Sequence, residues 1–199
     1  MRKHVFILGA LVLLLFSMSG CEITPPDIEQ NSEQNTEEDT EQNIPETLPE
    51  NPVSDFEYNV REQGDIIITK YIGTEKNVVV PAMIEGMPVK YIGESAFEES
   101  DIETVVLPDT IESVGIAAFS HCQNLRQIEL GSGITIIQWL AFVDCDSLTS
   151  IDLSADTMQT IQFRAFSSCE NLTEVFFGDN ITLIDDEAFM NCKSLKEVC

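Results

Sequence analysis

The dipeptide Ala-Phe occurs at 96–97, 118–119, 141–142, 165–166 and 188–189, and the phenylalanines stand 22, 23, 24 and 23 residues apart. Other columns keep step with it. Five residues before each Phe lies Ile92, Val114, Ile137, Ile161 or Ile184, and eight before lies Val89, Ile111, Ile134, Met158 or Ile181. Three after it lies Ser100, Cys122, Cys145, Cys169 or Cys192. Then come Ile102-x-x-Val105-x-Leu107, Leu125-x-x-Ile128-x-Leu130, Leu148-x-x-Ile151-x-Leu153 and Leu172-x-x-Val175-x-Phe177, and the fifth unit carries Leu195-x-x-Val198. A period of this size marks stacked supersecondary units, none of which buries its apolar face alone. The alternating Ile and Leu predict a short strand with those residues inward. Successive copies then form a parallel sheet with strands about 4.8 Å apart. The Ile-x-x-Ile-Gly-x-x-Ala-Phe half reads as the return segment: a short strand or tight turn leading into a brief helical turn, with Ala and Phe facing the core.

Residues 56–85 do not carry the repeat. Phe56–Val60 and Ile66–Tyr71 flank Gln63-Gly64-Asp65, which predicts a β-hairpin, and Val78–Val80 reads as a further strand ending at Pro81. This segment is expected to cap the first repeat, with residues 86–199 forming the five repeats.

The N-terminus has a different character. Basic Arg2-Lys3, an apolar run Val5–Phe16 and small residues Ser17, Ser19 and Gly20 have the layout of a secretory signal. The run is shorter than the roughly 20 residues a transmembrane helix needs. Met18-Ser19-Gly20-Cys21 resembles the bacterial lipobox, which implies cleavage after residue 20 and lipid attachment at Cys21. Residues 22–55 hold 11 acids, no bases and prolines at 25, 26, 45, 49 and 52. Such a stretch cannot bury enough apolar surface to offset its chain entropy, so residues 21–55 are expected to be a disordered, self-repelling tether.

The repeat units, the cap pattern and Gly86-Met-Pro-Val-Lys-Tyr-Ile-Gly93 resemble the BspA-like bacterial leucine-rich-repeat family across residues 56–199. The resemblance implies a leucine-rich-repeat solenoid preceded by a β-hairpin cap, exported to the bacterial cell envelope and facing outward. It implies a binding scaffold, in some members adhesive, and supplies no catalytic residues. Two features depart from the family pattern. The glycine after the second Ile is kept at Gly93 and Gly115 and replaced by Gln138, Gln162 and Asp185, and the sequence ends at Cys199 inside a strand.

Residues 56–199 carry 24 acids against 8 bases within a chain of net charge -25, which disfavours a phosphate backbone as partner. His4 and His121 are the only histidines, and no nucleophile elbow or phosphate loop is present, so no catalytic residue, cofactor or enzyme activity is expected. His121 falls in a polar column with Glu99, Asp144, Ser168 and Asn191, which predicts a solvent-facing side chain. Cys122, Cys145, Cys169 and Cys192 share one column, so they are expected to form an inward ladder of free thiols, with no disulfide and no zinc site. Cys199 stands apart as a thiol able to bridge two chains. Asp144-x-Asp146 and Asp185-Asp186-Glu187 lack the glycine-bearing loop of a calcium site, so no metal is expected.

Two outward columns are candidate partner-binding surfaces. Beside the inward Ile of each strand stand Val106, Glu129, Asp152 and Phe176, a mildly acidic face with one aromatic. Three residues before each Phe, the family places a polar residue, as Glu94 and Asp186 do here, whereas the central repeats carry Ile116, Trp139 and Phe163. With repeats about 4.8 Å apart these three make an apolar stripe, flanked by Leu140. The expected function is therefore a lipid-anchored surface protein that binds a protein or glycan. The alternative is a structural envelope component that self-associates through an uncapped C-terminal edge; a truncated copy of a longer repeat protein is a third reading.

Overall fold

The computed structural model describes residues 49–198, so the signal, Cys21 and most of the tether lie outside the described residues. The strands are β1 Phe56–Val60, β2 Ile66–Tyr71, β3 Asn77–Val79, β4 Met83–Ile84, β5 Met87–Ile92, β6 Thr104–Val106, β7 Ser113–Val114, β8 Gln127–Glu129, β9 Ile136–Ile137, β10 Ser150–Leu153, β11 Thr160–Ile161, β12 Glu174–Phe177, β13 Leu183–Ile184 and β14 Glu197–Val198. A single 3-10 turn, Val53–Asp55, is the only helix among the described residues. The strands wind into a parallel solenoid, and one core runs its length: Ile66, Val89, Ile111, Ile134 and Met158 in one column, Phe97, Phe119, Phe142 and Phe166 in another, all at most 1% exposed.

The hydrogen bonding corrects the expected sheet. The Leu-x-x-Ile-x-Leu strands are parallel and in register but form two separate three-stranded sheets, β3-β6-β8 and β10-β12-β14. The long sheet, β1-β2-β5-β7-β9-β11-β13 with β4 on β5, is built from the other half of the repeat. Its repeat strands are mostly two residues long, since the chain turns as soon as the second inward Ile is buried.

The turn that follows is not helical. Ser95, Ala117, Leu140, Arg164 and Glu187, two residues before each Phe, have φ between 52° and 58°. Glu99, His121, Asp144, Ser168 and Asn191, two residues after it, have φ between 56° and 61°. Left-handed residues at both positions prevent a helix from propagating. They also turn alternate amides out of the repeat. Ser95, Phe97 and Glu99 N–H groups donate to the carbonyls of Ile116, Ala118 and Ser120 in the next unit, while Ala96, Glu98 and Ser100 N–H groups close local turns on Gly93, Ser95 and Phe97. The same alternation recurs in the second unit, where Ala117, Phe119 and His121 donate to Trp139, Ala141 and Val143. Between these turns the phenylalanine rings stack at 4.8–5.2 Å from Phe97 to Phe189.

Residues 56–85, which carry no repeat in the sequence, follow the repeat's geometry. β1 and β2 pair antiparallel, and β2 then pairs parallel with β5. Tyr71 takes the place of a repeat Phe: its ring stacks on Phe97 at 5.3 Å, and its N–H donates to the Ala96 carbonyl as the repeat phenylalanines do one unit on. Val78 likewise pairs with Val105 in register. The folded region also extends further back than position 56. Asn51 exchanges bonds with Val79 through its backbone N–H and its side-chain oxygen, and the Glu50 carboxylate accepts the Ala82 N–H at 3.0 Å. Asn51 thus satisfies the edge amide of β3, and the Asp55 carbonyl accepts the Ile72 N–H at 2.8 Å, so residues 50–55 are held by the folded region.

Candidate interaction surface

The cysteine ladder is inward and its thiols are free. Cys122, Cys145 and Cys169 are fully buried and Cys192 is half-buried. Each thiol donates to the carbonyl of the preceding unit's phenylalanine: Cys122 to Phe97, Cys145 to Phe119, Cys169 to Phe142 and Cys192 to Phe166, at 2.9–3.1 Å. The Phe97, Phe119 and Phe166 carbonyls also accept a local turn N–H at 3.1–3.4 Å, so the thiol is a second donor to each of them. Burial pushes the Cys122 thiol up to about 12 and the Cys145 thiol well above its ordinary value. Such thiols are poor nucleophiles.

His121 is exposed, with Nδ1 3.2 Å from the Asp144 carboxylate. Its column is left-handed, and Asp144, Asn191 and His121 in it are of the non-glycine types most often found in that conformation. A shallow polar cleft of about 340 Å³ lies beside it, lined by Glu99, Asp101, His121 and Asn124. Among the described residues no cluster of three or more His, Cys, Asp or Glu is arranged to hold a metal ion, and no helix is long and apolar enough to cross a membrane.

The acidic strand face is divided. Val106 and Glu129 are paired on one three-stranded sheet, and Asp152 and Phe176 on the other. Glu129 accepts from Gln127, and the Asp152 carboxylate accepts the Ser154 N–H, so both carboxylates have local partners. Phe176 is 42% exposed.

The stripe is better placed. Ile116 and Trp139 are 38% and 52% exposed, and Phe163 is half-buried with the Arg164 guanidinium 5.0 Å from its ring centre. Their backbones are pinned, because the Ile116, Trp139 and Phe163 carbonyls accept the forward N–H groups of Ser95, Ala117 and Leu140. Large apolar side chains are thus held outward on a backbone that cannot rearrange to bury them.

A second outward column, missed in the sequence, runs beside the stripe on the long sheet; it is apolar at Ile67, Tyr91 and Ile136 and interrupted by Ser113. Ile67, Tyr91 and Ile136 point outward next to the buried Ile68, Ile92 and Ile137, and simple strand alternation would have found them. Tyr91 is clamped: its hydroxyl donates to Glu112 at 3.0 Å and the Arg61 guanidinium lies 4.0 Å from its ring centre. Between the two columns Gly93 and Gly115 leave a groove of about 160 Å³, walled by Ile67, Tyr91 and Ile116 and closed by Gln138, which donates to the Ser113 hydroxyl. A Cβ on Gly93 or Gly115 would stand 2.6 Å from the Ile68 or Ile92 carbonyl oxygen, so close strand approach requires glycine there.

The last unit differs from the rest. Leu183, Ile184 and Met190 are 48%, 45% and 38% exposed, although Ile161, which precedes Ile184 in its column, is fully buried.

The same turns and strands occur in known structures. The chain is 34% identical to a leucine-rich-repeat protein of T. pallidum, with TM-score 0.72, over 75% of this chain and 71% of that one. It is 31% identical to a leucine-rich cell surface protein of Faecalibacterium prausnitzii, with TM-score 0.60, over 71% of this chain and 36% of that one. A leucine-rich-repeat protein of Bacteroides ovatus matches at 27% identity and TM-score 0.65, over 72% of this chain and 39% of that one. No curated protein matches the chain. Residues 90–199, more than half of the chain, match the family profile described as a BspA type leucine rich repeat region, in six copies. Its phenylalanine stack, thiol ladder and stacked turns are therefore those of a member of the BspA-type leucine-rich-repeat family.

Proposed function

We propose that this is a surface-displayed binding scaffold, anchored to the bacterial envelope by lipid at Cys21, which engages a protein partner through Ile116, Trp139 and Phe163. The observation that carries the reading is Trp139, half-exposed on a hydrogen-bonded turn, in a column where the first and last repeats carry Glu94 and Asp186. Exposed apolar clusters on a secreted domain mark contact sites, and a pre-ordered backbone lowers the cost of binding. A relative described as a cell surface protein supports the location. The lipobox-like Met18-Ser19-Gly20-Cys21 supports the anchor. Two acyl chains would hold the protein stably where one would not.

Two experiments test this. Cys21→Ala should move the protein from the detergent-extracted membrane fraction to the soluble or secreted one, and unchanged fractionation would end the anchor. Trp139 should be quenched by acrylamide in the free protein, and Trp139→Ser should leave the melting temperature within a few degrees. A Trp139→Ser variant destabilised as a core truncation is, by about 3–5 kcal/mol, would make the residue structural. The acidic strand face is a second contact region on this reading, and reversing Glu129 and Asp152 to Lys should weaken partner binding.

A further inference from the structure

The groove and the stripe share Ile116, so they form one continuous apolar track along the long-sheet side. Its neighbours restrict what can lie on it. Backbone groups along the track are already committed: β7, β9 and β11 pair on both sides, and the turn amides are used by the next unit. A partner therefore cannot add as a strand, and recognition must come from its side chains. The groove exposes mainly aliphatic and aromatic surface; of its polar lining residues Glu94, Ser113 and Gln138, the last two are bonded to each other, which disfavours a sugar.

Charge narrows the partner further. Six of the eight Lys and Arg residues in 56–199 lie 2.5–3.5 Å from a carboxylate, among them Lys90 on Glu112 and Arg164 on Glu187 at the two ends of the track. Lys90 holds the Glu112 carboxyl below its ordinary range, so that pair is a closed one. Exposed Glu94 and Asp186 close the stripe column at either end. An acidic partner meets repulsion here, and so does this chain's own 22–55 stretch, which has 11 acids and no base, or a second copy at net charge -25.

We infer that the track binds an extended basic polypeptide segment, which places one aliphatic side chain in the Gly93–Gly115 groove and a second apolar side chain on Trp139, with Lys or Arg on either side facing Glu94 and Asp186. This rests on the contact face proposed above. A cavity of about 150 Å³ is enough for benzene, so the groove of about 160 Å³ admits one branched aliphatic side chain. Alternate side chains of an extended segment are about 7 Å apart, and the groove and Trp139 are one to two repeats apart, roughly 5–10 Å.

The test is selection from a displayed random-peptide library on the full chain and on its Trp139→Ser and Ile116→Ser variants, each first shown to melt as the parent does. Enriched peptides should carry two apolar residues two positions apart, bracketed by Lys or Arg. A synthetic Lys-Leu-Thr-Val-Lys peptide should bind about tenfold more weakly to either variant. Its affinity should fall as salt is raised, and less steeply in Glu94→Gln/Asp186→Asn. Enrichment of acidic or wholly polar sequences that still depend on Trp139 would overturn the basic-peptide inference and leave the contact face standing. Enrichment indifferent to both variants, or none at all, would overturn both.

Discussion

The two sides of each repeat hold the solenoid together by different means. On the turn side, each central unit contributes forward N–H bonds, a stacked phenylalanine and a buried thiol donor to the preceding phenylalanine carbonyl. That side also carries ten left-handed residues, each costing about 1–2 kcal/mol in isolation. On the strand side the backbone is relaxed, most of the inward Ile and Leu are buried just as fully, with Leu130 half-buried, and yet the pairing stops between β8 and β10. Burial of aliphatic columns tolerates a gap in the hydrogen bonding. A turn in a strained conformation does not, because only its neighbours' bonds and rings hold it there.

Alkali should separate the two sides most strongly. An unfolded thiol ionises near 9, whereas buried Cys122 keeps its proton to about 12. The folded state therefore binds more protons in that window, and stability must fall as pH rises through it. The slope is at most about 1.4 kcal/mol per pH unit for one thiol, so Cys122 alone contributes about 4 kcal/mol of loss across the window. Urea midpoints should be level below about 9 and drop above it, and Cys122→Ser should drop less; equal slopes would break the comparison. Next in size, Phe142→Ala removes a ring from mid-stack and should cost about 3–5 kcal/mol, against about 0.5–1.5 for Ile151→Val on the strand side. Equal losses from alanine at Phe142 and at Ile151 would mean that the stack adds nothing beyond area.

Smaller effects sharpen the same contrast. Cys145→Ala removes the second donor of the Phe119 carbonyl, which keeps the Cys122 N–H, and should cost about 0.5–1.5 kcal/mol, while Cys145→Ser should recover most of it. A loss shared equally by both variants would point to packing volume instead. Ala117 sits at φ 52°. Ala117→Gly should therefore stabilise the fold by about 0.5–1 kcal/mol, the relief of left-handed strain less the entropy of glycine. Destabilisation by chemical denaturation would show that the turn is unstrained.

Much of this was legible in the sequence, for one reason: a column fixed in five units identifies an inward residue whatever the backbone does around it. The inward Ile, Ala, Phe and Cys columns follow from that alone; the exposure of Trp139 does not, because its column is apolar in three of five units and such side chains fit packing on one another as well as facing solvent. Which strands join into the long sheet did not follow, because hydrogen-bond continuity depends on backbone angles that Ile and Leu do not encode. The left-handed positions were hidden because they hold Ala, Leu, Arg and Glu in place of glycine. The repeat-like geometry of 56–85 was hidden because Tyr71 stands in for the Ala-Phe pair, 26 residues before Phe97 where the repeats are 22–24 apart. The groove escaped notice because its floor is two glycines, and a cavity is a feature that residues leave empty.

In the column of turns around the phenylalanines, the backbone bonds between repeats all point the same way, from an N–H of one unit to a carbonyl of the next, and only the thiols donate backwards. In the strand sheets neighbouring bonds alternate in direction and their peptide dipoles cancel. The turns instead align theirs head to tail, as an α-helix does, with the negative end at the hairpin and the positive end towards the fifth repeat. A protein of net charge -25 thus carries, at one end of this row, a partial positive charge opposed to its overall sign. Each added unit lengthens that row of dipoles, so the repeats are polarised by one another as well as packed on one another.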